Sequence, residues 1–214
     1  MKIENRQQFL VVLTIAAFAL LAGVISIVWA LQAAELHHRD EAILDPLTGL
    51  LNRRGFFTHV ERIRRRVRRA HAQVLLMYLD VDGLKRVNDE MGHAAGDGLL
   101  VAAADALRDA FREEDVVARI GGDEFVALAV LGRRDDERLD RQAISARLEE
   151  AVRAKREELG EAYDFSVSCG SVVANAGELD EIDELLARTD QRMYTAKRER
   201  RRESAEAGAM TEAH

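Results

Sequence analysis

Residues 116–130 read VVARIGGDEFVALAV, two apolar runs of strand character around a Gly-Gly pair. Glycine tolerates positive φ at both central positions of a tight turn, so Gly121-Gly122 predicts a hairpin between strands over 116–120 and 124–130. Upstream, residues 74–79 (VLLMYL) form an unbroken apolar run, the mark of a strand covered on both faces, and it ends at Asp80. If the hairpin pairs beside that strand, Asp80 and Asp82 converge with Asp123 and Glu124. Convergent hard oxygen donors suit Mg²⁺, which takes a few carboxylates and completes its shell with water and phosphate oxygens. The alternative for each acid is ordinary: Asp82 as a helix cap and Asp123-Glu124 as a solvated turn. On the residues alone both readings stand. A helix beginning near Gly83, Leu84 and Lys85 adds free amides and a positive dipole end that favour phosphate.

Working outward, an Arg-rich helix is expected over about 52–70, and others from 83, over 97–112, 136–159 and 179–201, with a strand over 164–173. Hairpin and helical crossovers alternate in this order. The expected fold class is therefore α/β, a sandwich around a mixed, mainly antiparallel sheet flanked by helices.

The chain has 214 residues and a formal net charge of −7, which argues against general nucleic-acid binding. Its one cysteine, Cys169, excludes a disulfide framework and a Cys-rich zinc site and suits a reducing compartment. Residues 9–31 (FLVVLTIAAFALLAGVISIVWAL) carry no charge, and at about 1.5 Å rise per residue such a run crosses about 30 Å of hydrocarbon. It reads as a transmembrane helix; a cleaved signal peptide would have a shorter apolar region. The expected organisation is a tail (1–8), the membrane helix (9–31), a helical stalk (32–44), one globular domain (45–202) and a flexible tail (203–214). Lys2 and Arg6 before the apolar run, against Arg39 after it, leave the orientation undecided by charge.

Several spaced segments together resemble the GGDEF diguanylate cyclases: DPLTGLLNRR at 45–54, LDVDGLKRVNDEMGHAAGD at 79–97, Arg119 ahead of GGDEF at 121–125, SVSCG at 166–170 and TDQRMYTAK at 189–197. The likeness spans about residues 45–201. It implies a nucleotidyltransferase that condenses two GTP molecules into cyclic di-GMP and pyrophosphate, with Mg²⁺ as cofactor, or Mn²⁺ in its place. By similarity, Asp80, the main-chain carbonyl of Val81 and Asp123 hold the metal, and Glu124 is a further ligand or helps to deprotonate the nucleophile. Lys85 faces the triphosphate, the amides of Gly83 and Leu84 bind phosphate, and Lys197 and Arg201 reach the phosphates from the last helix. Asn88 and Asp97 match guanine-binding positions, which favours GTP over ATP and a guanine-only product over a mixed one. His93, inside a matched motif, reads as structural.

The resemblance further implies a homodimer, because each domain holds one GTP and two must meet face to face. It places the catalytic domain on the cytoplasmic side of a bacterial inner membrane, where GTP is found. Arg112 and Asp115 look like the family's RxxD inhibitory site for the product, the competing reading being a local ion pair. The chain departs from the family's usual residues at Leu84 and Arg200, and the second bears on whether Arg201 points inward. The rival function is a catalytically silent module that binds cyclic di-GMP or GTP as a receptor. Retention of Asp80, Lys85, Asp123 and Glu124 weighs against it.

Overall fold

The computed structural model describes residues 20–27, 29, 43–131, 137–160, 163 and 165–212, with backbone alone at 137 and from residue 200 onward. The chain divides into two compact units, Met1–Ala42 and Ile43–His214. In the first, residues 20–27 and 29 are helical and the rest of the expected membrane helix lies outside the described residues. Among the described residues no helix is long and apolar enough to cross a membrane. The expected stalk (32–44) likewise falls outside them, up to residue 43.

The second unit runs α1 (Arg53–Ala70), β1 (Gln73–Asp82), α2 (Leu84–Met91), α3 (His93–Ala110), β2 (Val116–Arg119), β3 (Glu124–Val130), α4 (Glu137–Leu159), β4 (Ser166–Asn175), a 3₁₀ turn (Glu178–Glu181) and α5 (Ile182–Glu212). The sheet order is β2-β3-β1-β4 and every strand pair is antiparallel. The parallel element is a single bridge, Leu51 to Ala118. β1 is central, and its two faces meet separate cores. Leu75, Met77, Leu79 and Val81 pack with α3 and α4, while Val74, Leu76 and Tyr78 pack with α1 and α5. Burial on both faces is why this strand reads as continuous rather than alternating.

Several boundaries differ from expectation for local physical reasons. β1 does not stop at Asp80 but runs to Asp82, since both acids have ladder partners, Glu124 and Ser168 for Asp80 and Ser166 for Asp82. α3 starts at His93, four residues early, because Gly92 at φ 84° breaks the chain between α2 and α3 in a single residue. The helix α5 follows a 3₁₀ turn and its backbone continues to Glu212, through the stretch expected as a tail. The hairpin forms where expected, but neither Gly121 nor Gly122 has positive φ. At Gly121 a Cβ would lie 2.1 Å from Glu124 Oε2, the far end of a flexible side chain that would have to turn away. Nothing in the structure explains Gly122.

Candidate active site

The even-numbered face of β1 turns toward α5, so Asp80 and Asp82 project to the side from which Lys197 arrives. Lys197 Nζ pairs with Asp80 and lies 3.2 Å from Asp82 Oδ1, and all three side chains are largely buried. Asp82 is no helix cap: the cap of α2 is Gly83, with no side-chain hydrogen bond. Its carboxylate instead accepts from Ser166 Oγ at 3.0 Å and Ser168 Oγ at 2.9 Å. Burial, with the Asp123 and Asp82 charges, holds the Asp80 carboxyl above the usual carboxylate range although the Lys197 ammonium opposes it. For Lys197 burial works the other way, yet its hydrogen bonds to Asp80 and Asp82 prevail and keep it protonated.

The position of Lys197 depends on close contact between α5 and β4. A Cβ at Gly170 would lie 2.3 Å from Met193 N and 2.4 Å from Thr189 O, so the helix backbone rests directly on the strand. Lys197 follows Met193 by one turn.

The hairpin is fixed from two directions. Val81 N donates to Asp123 O at 3.0 Å, which holds the turn beside β1. Arg119 donates through Nε and Nη2 to Gly122 O, at 3.1 and 2.7 Å, and through Nη1 to Asp45 Oδ1 at 3.2 Å. Asp45 also accepts from Thr48 N at 2.8 Å and Thr48 Oγ1 at 2.6 Å. Burial alone would raise its carboxyl, but these hydrogen bonds from Thr48 and Arg119 more than offset that and hold it low. The opening DPLTG turn is thereby tied to the hairpin by one guanidinium. Glu124 folds back over Gly121 and lies close enough to the Tyr78 hydroxyl to act on it, a neighbour the sequence reading missed. Burial, then Glu124, pushes that hydroxyl's pKa upward.

Between β1, α2 and α5 lies a pocket of about 480 Å³ lined by Val81, Gly83, Leu84, Lys85, Asp123 and Lys197, among others. Gly83 enters α2 at φ 79°, a conformation that suits glycine, and the first-turn amides of the helix have no intrahelical acceptor. Anionic ligands fit such a floor. Among the described residues no three His, Cys, Asp or Glu side chains gather tightly enough to hold a metal by themselves. Asp80 and Asp123 nevertheless fit a hard divalent cation that takes one or two carboxylates and fills its shell with phosphate oxygens and water, and the two carboxyls are close enough for the charge of Asp123 to act on Asp80. Glu124 is the ladder partner of Asp80 across β1 and β3.

Asn88 and Asp97 sit outside the pocket lining, on α2 and α3. They are brought near each other because α3 crosses Asn88 at Gly96, where a Cβ would lie 2.0 Å from Asn88 Oδ1. Asp97 and His93 are exposed. Arg201 is on α5, but its side chain is outside the described residues, as is that of Arg200.

Arg112 and Asp115 line a separate pocket of about 310 Å³ against α4. They form no ion pair with each other; Asp115 Oδ2 accepts from Arg112 N at 2.9 Å, and Asp115 N donates to Arg112 O at 3.0 Å. Burial raises the Asp115 carboxyl against the hydrogen bonds from the Arg112 and Val130 amides. Arg147 of α4 lines the same pocket, with a buried Nε that has no hydrogen-bond partner. No motif marks Arg147 in the sequence; only the packing of α4 brings it here.

The family profile "Diguanylate cyclase, GGDEF domain" matches residues 42–203. Diguanylate cyclase DgcP of Pseudomonas aeruginosa is 38% identical over 165 residues, which are 75% of this chain and 23% of DgcP. The chain thus spans less than a quarter of that relative's length. The structure of the GGDEF domain of TpbB (YfiN) from the same organism superposes with a TM-score of 0.60 at 31% identity, covering 73% of this chain and 89% of that one. The coiled coil and GGDEF domain of DgcB from Caulobacter crescentus, in complex with c-di-GMP, gives 0.60 at 26% identity, covering 84% and 93%.

Proposed function

The chain belongs to the GGDEF diguanylate cyclase domain family, and from that premise we propose that it joins two GTP molecules into cyclic di-GMP. The observation that carries the reading is the meeting of Asp123, Lys85 and Lys197 in the lining of one pocket whose floor is a helix N-terminus, with Asp80 paired to Lys197. In the reaction the ribose 3′-hydroxyl of one nucleotide attacks the α-phosphorus of the other, its proton leaves as the P–O bond forms, and the bond to pyrophosphate breaks. The step occurs twice, once in each direction. Lys85, Lys197 and the Gly83 and Leu84 amides hold the triphosphate and balance its charge. Asp80, the Val81 carbonyl and Asp123 would hold the divalent metal, Mg²⁺ in our reading, which when bound polarises the phosphate and acidifies the hydroxyl. Glu124, beside Tyr78, is the carboxylate assigned to the departing proton. Asn88 and Asp97 bind guanine, Asp97 accepting from its N1–H and amine.

Each domain contributes half of this arrangement, so the active species is a homodimer. The apolar run at 9–31 is assigned as a single membrane span with the catalytic domain in the cytoplasm, where it raises the encounter frequency of two domains. The product, which DgcB binds, is assigned to the Arg112–Asp115 pocket as a feedback inhibitor. Incubation with GTP and Mg²⁺ and identification of the product by mass tests the activity: cyclic di-GMP is expected from the wild type and none from Asp80→Asn. Unchanged product formation by that variant would refute the site assignment, and its absence from the wild type would refute the function.

A further inference from the structure

The eighteen-residue helix α1 carries eight arginines against one glutamate, in a chain whose net charge is −7. Its apolar stripe, Phe56, Val60, Ile63 and Val67, is buried against the sheet. Arg64 and Arg68, on the flank, pair with Asp180, and Arg64 also with Glu61. The remaining stripe, Arg62, Arg65, Arg66 and Arg69, follows i, i+3, i+4, i+7 spacing on the outward side, and all four are exposed. None of the four has an ion pair among the described residues. Like charges at these spacings repel along a helix, so the stripe weakens α1 unless an external anion answers it.

We propose that this arginine stripe rests on the anionic phospholipid headgroups of the bilayer, laying α1 along the membrane surface and fixing how the catalytic domain stands above it. The proposal rests on the assignment of residues 9–31 to the bilayer. Residues 32–42 join that run to the folded domain, and eleven residues at up to about 3.3–3.6 Å each reach at most about 36–40 Å, which sets the distance within which α1 can return to the surface. An extended sheet of negative charge complements a line of four cations, and basic segments near a membrane span are drawn to anionic lipid in this way. A protein partner fits less well, because the stripe offers no apolar or aromatic anchor and interface cores are depleted of charge. The negative charge of the whole chain opposes nucleic acid, while a planar lipid surface touches the basic face alone.

The test uses the full chain with Cys169→Ser and Thr58→Cys, position 58 being exposed on the same side of α1 as Arg62 and Arg65. A fluorophore at 58 is measured in vesicles containing headgroup-nitroxide lipid, of phosphatidylcholine alone or with phosphatidylglycerol added. Quenching is expected to be at least about twofold stronger in the anionic vesicles and to fall as salt rises. Replacing Arg62, Arg65, Arg66 and Arg69 with Gln should bring it to the phosphatidylcholine level without loss of cyclase turnover. Flotation of the same samples reads the anchor separately. A chain that floats with both vesicles yet shows equal quenching overturns the inference and leaves the anchor intact. A chain that floats only with anionic vesicles, and loses this in the four-Gln variant, supports the stripe and removes the anchor. Flotation with neither overturns both, and retention on duplex DNA at physiological salt without anionic quenching would reassign the stripe to nucleic acid.

Discussion

Glu124 and Asp80 are ladder partners across β1 and β3, yet their carboxylates have different company. Asp80 is held by Lys197, whereas Glu124 lies beside the Tyr78 hydroxyl, a donor. Tyr78→Phe keeps the ring that fills the core and removes that donor alone. Turnover is expected to fall about tenfold, equivalent to about 1.4 kcal/mol, with the melting temperature changed little. Wild-type turnover in Tyr78→Phe would show that Glu124 needs no such support. Asp97 offers a second residue-level test. In the proposed function its exposed carboxylate accepts from guanine donors that adenine lacks, so Asp97→Ser should lower GTP use and admit some ATP, read from the products of each nucleotide offered alone. Undetectable ATP use with GTP use unaltered would remove Asp97 from base reading. The identities and spacing of these acids are visible in the sequence, but Tyr78 looks like any other residue of an apolar strand. It is placed by register, because β3 brings Glu124 onto the same face.

Elements are held in place here by a few close approaches. Gly170 lets α5 lie against β4, so Gly170→Ala must push backbone away from backbone. A loss of about 1–3 kcal/mol is expected, with reduced turnover in the folded fraction because Lys197 moves with the helix. A Cβ at Gly98 on α3 would meet nothing within 4 Å, and Gly98→Ala should stabilise by up to about 1 kcal/mol, as in any exposed helix interior. Equal melting temperatures for the two variants would contradict this packing. The Asp45–Arg119 tie joins the opening turn to the hairpin, and its carboxyl is held below the ordinary range. A carboxyl lowered in the folded state contributes stability above its unfolded value and loses it as the pH falls through the folded one. Asp45→Asn should therefore cost about 1–2 kcal/mol at pH 7 and almost nothing at strongly acid pH, seen by urea unfolding at both. A constant difference across that range would rule out the ionised pair as the cause.

At the scale of the molecule, the proposed reaction and its proposed regulation are assigned to two pockets on different parts of the domain. The Arg112 pocket lies against α4, while the nucleotide pocket lies between β1, α2 and α5. Product held in the first is thus expected to inhibit without competing with GTP. Arg112→Ala should weaken that inhibition by at least about tenfold and keep the initial rate, so progress curves stay linear longer. Equal inhibition constants for variant and wild type would reduce Arg112 to a surface charge. What the sequence by itself determined is local: the hairpin, the doubly buried β1, the acids at its end, the start of α2 at Gly83 and the family motifs, all written in neighbouring residues. The tertiary structure alone decided that Asp82 serves Lys197 and two serines rather than a helix cap, that the Gly121-Gly122 turn forms without a left-handed residue, that Tyr78 meets Glu124 and that Arg147 lines the Arg112 pocket. Those facts depend on contacts between residues distant in the chain, Ser168 with Asp82 and α4 with the RxxD turn. Such contacts leave no periodicity or spacing in the sequence, because the free energy that forms them comes from packing whole elements together.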